Sequence, residues 1–505
     1  MKKNQIISSV TIEKIGYEGI GIARFDDGKK LIIKWWALPG MVCDLRVVKN
    51  YKDYAECHIV EIHSFSSEYD LSTIKCPHYL YAQNDLPACK TWCGWCKRQI
   101  ASYDQQLILK KQIVQDSFRF LSDQIVVLDP LPSPEIRWYR NKIEYSFGKF
   151  ITGRWDEKQT LSDRSLWFHR QWMFGKIVDI DQCFLVDTKV NQLFQYCKKL
   201  ITSFNIPVYD QVQHEWVWRH LMIRQAQNNQ KMMIILSVWG TFDSLWERTS
   251  ILDALSSDKR LRSHVDTFVV ITNDSLADVV ATRDSKSDIL RWSGVIDEYL
   301  VVDTHTLTFS LSPQSFFQTN THGAELLYET AIKMTKSALW DDFKWTILDL
   351  YCGTGTIWLS FLVSWCGDRL IGIEETPSAV EDARANAVAN HIMKPYHFFA
   401  WKVEKILTID NSLLRVLWDD WWLAPSSLGL IIVDPPRSWL HKDIVELLLK
   451  IKEFCPHIVV CYISCNPVTL ARDCKLLMQA YTLTQIQPVD MFPHTHHIEN
   501  IVLLR

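Results

Sequence analysis

"ILDLYCGTGT", residues 347–356, decides how the chain folds. A strand ends at Asp349 and runs into a turn that contains Gly353 and Gly355. Glycine at such a turn lets the backbone pass close to a ligand. The next β-prone run, RLIGIEE, carries Glu374, 19 residues beyond Gly355. A carboxylate there can accept hydrogen bonds from both hydroxyls of a ribose. The turn lacks GxGxxG spacing, which disfavours a dinucleotide. From these residues alone two readings stay open: a nucleoside cofactor, or a plain tight turn.

Outward from that turn, strands and helices alternate. PSAVEDARANAVANH reads as a helix, LGLIIVDPP and HIVVCYISCNP each as a strand before a helix, and IENIVLLR as the closing strand. The alternation predicts an α/β unit, a Rossmann-like doubly wound parallel sheet with ligands at the carboxyl ends of its strands. In "VDPPR", 433–437, two prolines stiffen the loop that holds Asp434 at that rim. In "YISCNPVTLARD", 462–473, Cys465 ends the next strand. A lone cysteine is commonly a small buried hydrophobe. Here a helix opening near Pro467 would lower the thiol pKa through its N-terminal dipole, and thiolate is the nucleophilic form. "DMFPHTHHIEN", 490–500, then brings His494, His496, His497 and Glu499 to the closing strand. HTHH fits no common zinc spacing, and a carboxylate with one proton to move is the simpler reading.

The rest of the chain sets bounds. Apolar residues make up 48% and charged residues 22% of 505 residues, enough for several cores and too ordered in composition for wholesale disorder. The net charge is −3, so a polyanion partner must meet a local patch. MKKNQIISSV has no apolar segment of a secretory signal, and no run reaches membrane-spanning length, so a cytoplasmic, non-membrane protein acting as a monomer is expected. Fourteen cysteines in such a chain favour metal or catalytic use over disulfides. Residues 1–63 hold five short strand-like runs that fit an OB-like barrel, a surface type that grips single-stranded nucleic acid. Residues 64–310 form a mixed α+β region. It opens on "CPHYLYAQNDLPACKTWCGWC", followed by the helix-periodic SYDQQLILKKQIVQDSF, and also contains Cys183. Residues 311–505 form the Rossmann-like unit.

Taken together, "SPQSFFQTN", "DLYCGTGT", "GIEETPSAVEDARANA", "DPPR", "SCNPVTLARD" and "MFPHTHHIE" resemble the S-adenosyl-L-methionine (SAM)-dependent RNA 5-methyluridine methyltransferases. "IGYEGIGIAR" and "ALPG" resemble the TRAM domain of RNA-modifying enzymes, so the likeness spans nearly the whole chain. The resemblance implies Cys465 as nucleophile and Glu499 as general base. It implies Gln318, Tyr351, Glu374 and Asp434 as SAM-binding positions and Phe316 as an aromatic near the target base. Thr356 stands where some members carry Asn. The TRAM-plus-cysteine arrangement resembles the 23S rRNA uracil-5-methyltransferase branch, with a tRNA uridine as the alternative substrate. That branch holds a [4Fe–4S] cluster, and Cys76, Cys93, Cys96 and Cys183 match its ligands. Sixteen residues separate Cys76 from Cys93, longer than the family spacing, so Cys89 competes as first ligand. Four thiolates also suit zinc. Two other classes remain: an RNA-binding protein with a dead catalytic domain, and an N-methyltransferase, which needs no thiol.

One anomaly runs through the motifs. Where the family reads CGGC, GTGTIGL and DPPRSGL, this chain reads CGWC, GTGTIWL and DPPRSWL. SLWFHR and AWKVE likewise carry Trp where glycine is usual. Indole in place of hydrogen at packed sites overfills them, at about 1–3 kcal/mol per site. With 17 Gly against 22 Trp, Trp95, Trp167, Trp358, Trp401 and Trp439 suggest UGA codons that the source reads as glycine. Genuine substitution with compensation is the alternative.

Overall fold

The computed structural model describes the chain except residues 35–36, 80–92, 122–123, 153–158, 171–172, 179, 211–212, 283–284, 292–293, 340–344, 365–366, 411–412, 417–420, 424–426 and 437–439. Cys89 and Trp439 lie outside the described residues, as does the side chain of Trp167.

The N-terminal β domain is one six-stranded sheet: β1 (Ile6–Thr11), β2 (Lys14–Ile15), β3 (Gly21–Arg24), β4 (Lys30–Ile33), β5 (Val42–Asn50) and β6 (Tyr54–Ser64). Their order is β1-β5-β6-β4-β3-β2. Five strands were expected. The first apolar run divides instead between β1 and β2, at Ile12 and Glu13, whose amides donate to the Met41 and Ile22 carbonyls on either side of the break. Its two parts then reach opposite edges of the sheet.

Helix α1 (Tyr103–Phe118) confirms the helical periodicity after the cysteine segment, and Ser102 with Gln105 closes a capping box at its start. Leu109 and Ile113 pack on the N-terminal sheet, while Val114 and Phe118 pack on the C-terminal one. The short β7 (Val126–Val127) joins that C-terminal sheet.

The central region is a seven-stranded sheet built from β8 (Lys142–Thr152), β9 (Gln159–Arg170), β10 (Met173–Val178), β11 (Trp218–Gln225), β12 (Met232–Val238), β13 (Thr267–Thr272) and β14 (Lys286–Arg291). Their order is β10-β9-β8-β11-β12-β13-β14. Helices α2 (Thr188–Ser203), α3 (Arg248–Ser257) and α4 (Lys259–His264) close its core. A hairpin, β15 (Ile296–Val302) and β16 (His305–Leu311), leads into α5 (Thr321–Ala338).

The alternation expected for the last third is present. It runs β17 (Thr346–Leu350), α6 (Thr356–Val363), β18 (Arg369–Glu374), α7 (Pro377–Ala389) and β19 (Tyr396–Ala400). An excursion follows: α8 (Val403–Ile406), β20 (Leu407–Asp410), β21 (Leu413–Val416) and β22 (Trp421–Leu423). Then come β23 (Leu428–Val433), α9 (Lys442–Phe454), β24 (Val459–Ser464), α10 (Pro467–Leu477), β25 (Gln485–Val489) and β26 (Glu499–Leu504). The sheet order is β19-β18-β17-β23-β24-β26-β25-β7. Strands β19, β18, β17, β23 and β24 run parallel, and β26 enters antiparallel between β24 and β25.

The near-continuous apolar strands follow from burial on both faces. Leu430 and Ile432 of β23 join the layer of α5, α6 and α7, whereas Ile431 and Val433 join that of α1, α9 and α10. Strand order reverses beside β17, and a crevice for ligands lies outside the strand ends at such a point. No helix among the described residues is long and apolar enough to cross a membrane.

Candidate active site

Every rim residue singled out from the sequence sits at or just beyond a strand end. After β17 the chain turns sharply. Tyr351 takes a left-handed φ of 70°, Gly353 53° and Gly355 94°, and Gly355 opens α6. A side chain is strained in that region and glycine is not, so the Tyr351 backbone stores strain at the rim. The Tyr351 and Cys352 amides donate to the Ile373 carbonyl, which ties the turn to β18. A Cβ at Gly353 would meet nothing within 4 Å, so this face of the turn is open.

Three carboxyls converge there. Glu374 accepts from the Gly353 amide at 3.2 Å and the Thr376 amide at 2.8 Å, which fixes its orientation at the end of β18. Asp349 is 1% exposed, and neither of its carboxyl oxygens has a hydrogen-bond partner among the described residues. Burial, with Asp434 and Glu374 as negative neighbours, pushes its pKa well above the usual range. Burial pushes Asp434 up to about 7. Buried carboxyls without donors are costly unless a cation or donor completes them. This donor set fits a cationic nucleoside: acids for the charge, an oriented acid for a ribose, an open glycine turn for the approach.

Cys465 follows directly on β24. It is half-buried and not in a disulfide. The next residue, Asn466, accepts from the Val468 and Thr469 amides and caps α10. The helix therefore starts just past the thiol, as its sequence suggested. Across the sheet, Ser464 pairs with Asn500, and the Asn500 side-chain amide donates to the Ser464 carbonyl at 3.2 Å. Cys465 is the residue after Ser464, and Glu499 the residue before Asn500. Glu499 is buried, and with Asp434 and Asp349 it pushes the Tyr328 hydroxyl pKa up, after burial itself. Tyr328 shares a 3.2 Å hydrogen bond with Thr356. Glu499, Asp434 and Asp349 thus share one neighbourhood around the Tyr328 hydroxyl.

Phe316 is 66% exposed, and its carbonyl accepts from the Thr354 hydroxyl at 3.2 Å. An exposed ring on a backbone tied to the glycine turn is available for stacking. The Gln318 carbonyl accepts from the Asn141 side chain at 2.8 Å. Asn141 went unnoticed in the sequence because its partner lies 177 residues away. Asp349 entered only as a strand end, since sequence does not show that its oxygens lack partners.

The histidines before Glu499 hold the loop. His494 donates its amide to Gln106 of α1, and its carbonyl accepts from the Lys97 and Arg98 amides. Burial lowers its pKa to about 4. Lys110 pairs with Asp490 at 2.6 Å in full burial and also donates to the Phe492 carbonyl.

Cys76, Cys93, Cys96 and Cys183 form no disulfides. Burial pushes all four thiols up. Cys93 feels the other three, Cys96 feels Cys183 and Cys76, and Cys183 feels Cys76. Among the described residues no group of three or more His, Cys, Asp or Glu side chains is arranged to hold a metal ion.

With the rim in place, the relatives can be read. A family model for tRNA (uracil-5-)-methyltransferase matches residues 250–505. The chain belongs to that family. An uncharacterized RNA methyltransferase of Clostridium acetobutylicum is 32% identical, with 100% of this chain and 98% of the relative covered. One from Bacteroides thetaiotaomicron is 30% identical over 96% of this chain and 99% of its own length. The tRNA (uracil-54, C5)-methyltransferase of Pyrococcus abyssi, solved with S-adenosyl-L-homocysteine, shares the fold at a TM-score of 0.66 and 22% identity. It covers 98% of this chain and 99% of its own. This family member is a SAM-dependent RNA uracil-5-methyltransferase with a methyltransferase fold and an N-terminal β domain.

Proposed function

We propose that the enzyme methylates C5 of a uridine in 23S rRNA through a transient bond between Cys465 and C6. The observation that carries this is the pairing of Ser464 with Asn500: Cys465 directly follows the first and Glu499 directly precedes the second. C5 of uracil is a poor nucleophile. The Cys465 thiolate adds to C6, and the electron pair of the C5–C6 double bond moves into an enolate over C5, C4 and O4. When bound, SAM supplies an electrophilic methyl group on a sulfonium, which C5 attacks with release of neutral S-adenosyl-L-homocysteine. Glu499 then takes the C5 proton. The C5–C6 double bond re-forms as the sulfur leaves, and thiolate is regenerated.

Asp349, Asp434, Glu374, Gln318 and Tyr351 line the donor's side of the rim, and Phe316 takes the face of the unstacked base. The 23S reading rests on the TRAM-like β domain and the cysteine segment. The tRNA reading is favoured by the specificity of the Pyrococcus abyssi neighbour. A tetrathiolate [4Fe–4S] site at Cys76, Cys93, Cys96 and Cys183 rests on the resemblance to the cluster-holding branch, since among the described residues these side chains do not stand grouped around a metal position; methyl transfer does not need it for electrons. Iron and sulfide analysis of anaerobically purified protein tests it; zinc, or no metal, refutes it.

The main test is trapping. RNA carrying 5-fluorouridine has no C5 proton to lose, so it should stall as a covalent complex with the wild type and not with Cys465→Ala. A complex that survives denaturation in Cys465→Ala overturns the mechanism. Mapping 5-methyluridine in cells lacking the gene decides between 23S rRNA and tRNA.

A further inference from the structure

The loop that carries Phe316 and Gln318 is gripped from the central sheet. Arg224, near the end of β11, is 2% exposed. Its guanidinium donates to the Ser315 carbonyl at 2.8 Å and the Ser312 carbonyl at 3.4 Å. The turn between these serines is already closed on itself. Ser312 donates its amide to the Ser315 hydroxyl, Ser315 donates its amide to the Ser312 carbonyl, and the Ser315 hydroxyl donates to Asp382. On the neighbouring strand, Lys142 pairs with Arg224, and the adjacent Asn141 reaches the other end of the loop. Its side chain donates to the Gln318 carbonyl and the Thr321 hydroxyl, and its amide to the Thr319 carbonyl.

A buried guanidinium is costly, and Glu144, Glu298 and Asp382 offset that cost by their charge. Its hydrogen bonds go to two backbone carbonyls of a loop. One of them, the Ser315 carbonyl, belongs to the residue just before the exposed ring of Phe316. Asn141 holds the carbonyl of Gln318 itself.

We propose that Arg224 and Asn141 are positioning residues that divide the loop's work. Arg224 sets Phe316 for the RNA base, and Asn141 sets Gln318 for SAM. This rests on the functional reading above for the roles of the two loop residues. The two grips are separate: Arg224 holds the Ser312 and Ser315 carbonyls and Asn141 those of Gln318 and Thr319, with Phe316 and Phe317 between them.

The test uses full-length protein, SAM with a labelled methyl group, and RNA from cells lacking the gene, with incorporation read regardless of nucleoside. Arg224→Met should raise KM for RNA about ten-fold, the scale of one lost base–aromatic stack, and leave KM for SAM within about two-fold. Asn141→Ala should do the reverse. Arg224→Lys, which keeps the charge and one donor, should recover part of the loss. In a Phe316→Ala background, Arg224→Met should add nothing to the RNA KM. Both parameters shifting together in both variants, or full additivity with Phe316→Ala, overturns the proposal. Nucleoside analysis of the same product separates failures: label on a nucleoside other than 5-methyluridine sinks the reaction reading, not the split in KM.

A second inference rests on the backbone. Trp138 has φ 56° and Trp216 φ 82°, both with exposed side chains. Bulky residues are strained in this region, as Tyr351 is at the rim, and glycine is not. Trp358 is fully buried, yet its indole N–H has no partner among the described residues. We infer that Trp138 and Trp216 join the positions at which the source decodes UGA as glycine. Peptide masses of protein from its native cells should show glycine at both, and tryptophan at either overturns the inference.

Discussion

The rim of the parallel sheet and the cysteine segment each gather residues from distant parts of the chain, by different means. At the rim, strand register does the gathering: Cys465, Glu499, Asp349, Glu374 and Asp434 all sit at or beside strand ends. Their backbones are fixed by ladder bonds before any side chain is placed. The cysteines sit in irregular chain, tied by single bonds such as the Cys93 amide to the His78 carbonyl and the Cys183 amide to Asn191. A site built on a ladder is pre-positioned and tolerates loss of one side chain. A site built on loops draws its order from its own contacts.

The sharpest contrast is therefore between Cys465→Ala and Cys93→Ser. The first should lower methylation at least about a thousand-fold, as loss of a nucleophile does, with the melting temperature unchanged. The second should keep measurable methylation and lower the melting temperature. Thermal melts and methyl incorporation on both proteins check this, and a collapse of Cys465→Ala would dissolve the contrast. Next, Glu499→Gln should slow turnover about a hundred-fold to ten-thousand-fold and accumulate protein bound covalently to ordinary RNA. Denaturing gels with unmodified RNA would show it, and slow turnover without the adduct would remove Glu499 from the proton step.

Sequence legibility follows the same division. Glu374, Asp434 and Cys465 could be found by spacing, because strands of five or six residues deliver each to the same edge. The doubly wound sheet could be read from alternation for the same reason. The six-stranded N-terminal sheet was misread as five because the break between Thr11 and Lys14 falls inside one continuous β-prone run. Asn141 and Arg224 were invisible, since their partners are carbonyls, which every residue has. The cysteines were visible by type, but their grouping depends on chain paths that sequence does not fix.

Lys110 and Asp490 link the two regions. The pair holds the loop before Glu499 to α1, and the Lys97 and Arg98 amides of the cysteine segment hold the same loop at His494. Lys110→Met leaves a buried carboxylate unpaired and should cost about 3–5 kcal/mol in denaturant unfolding. Lys110→Met with Asp490→Leu should recover much of that. Failure to recover would mean that the bonds from Tyr103 to Asp490 and from Lys110 to Phe492 matter more than the charges.

The smallest effect concerns how the rim meets a cation. Asp434, raised to about 7 by burial, is about half protonated at neutral pH in the free enzyme. A sulfonium nearby favours its ionised form and lowers that pKa, so binding releases a proton below pH 7. SAM affinity should therefore be level above about pH 8 and fall about ten-fold near pH 6, while neutral S-adenosyl-L-homocysteine should lose much less. Titration calorimetry across that range, with Asp434→Asn as control, measures it. The variant should bind SAM weakly and without the pH slope. If affinity instead keeps rising above pH 8, the proton belongs to Asp349, whose deeper burial and two acidic neighbours hold it protonated longer. The cation would then sit over the β17 turn, not the β23 loop.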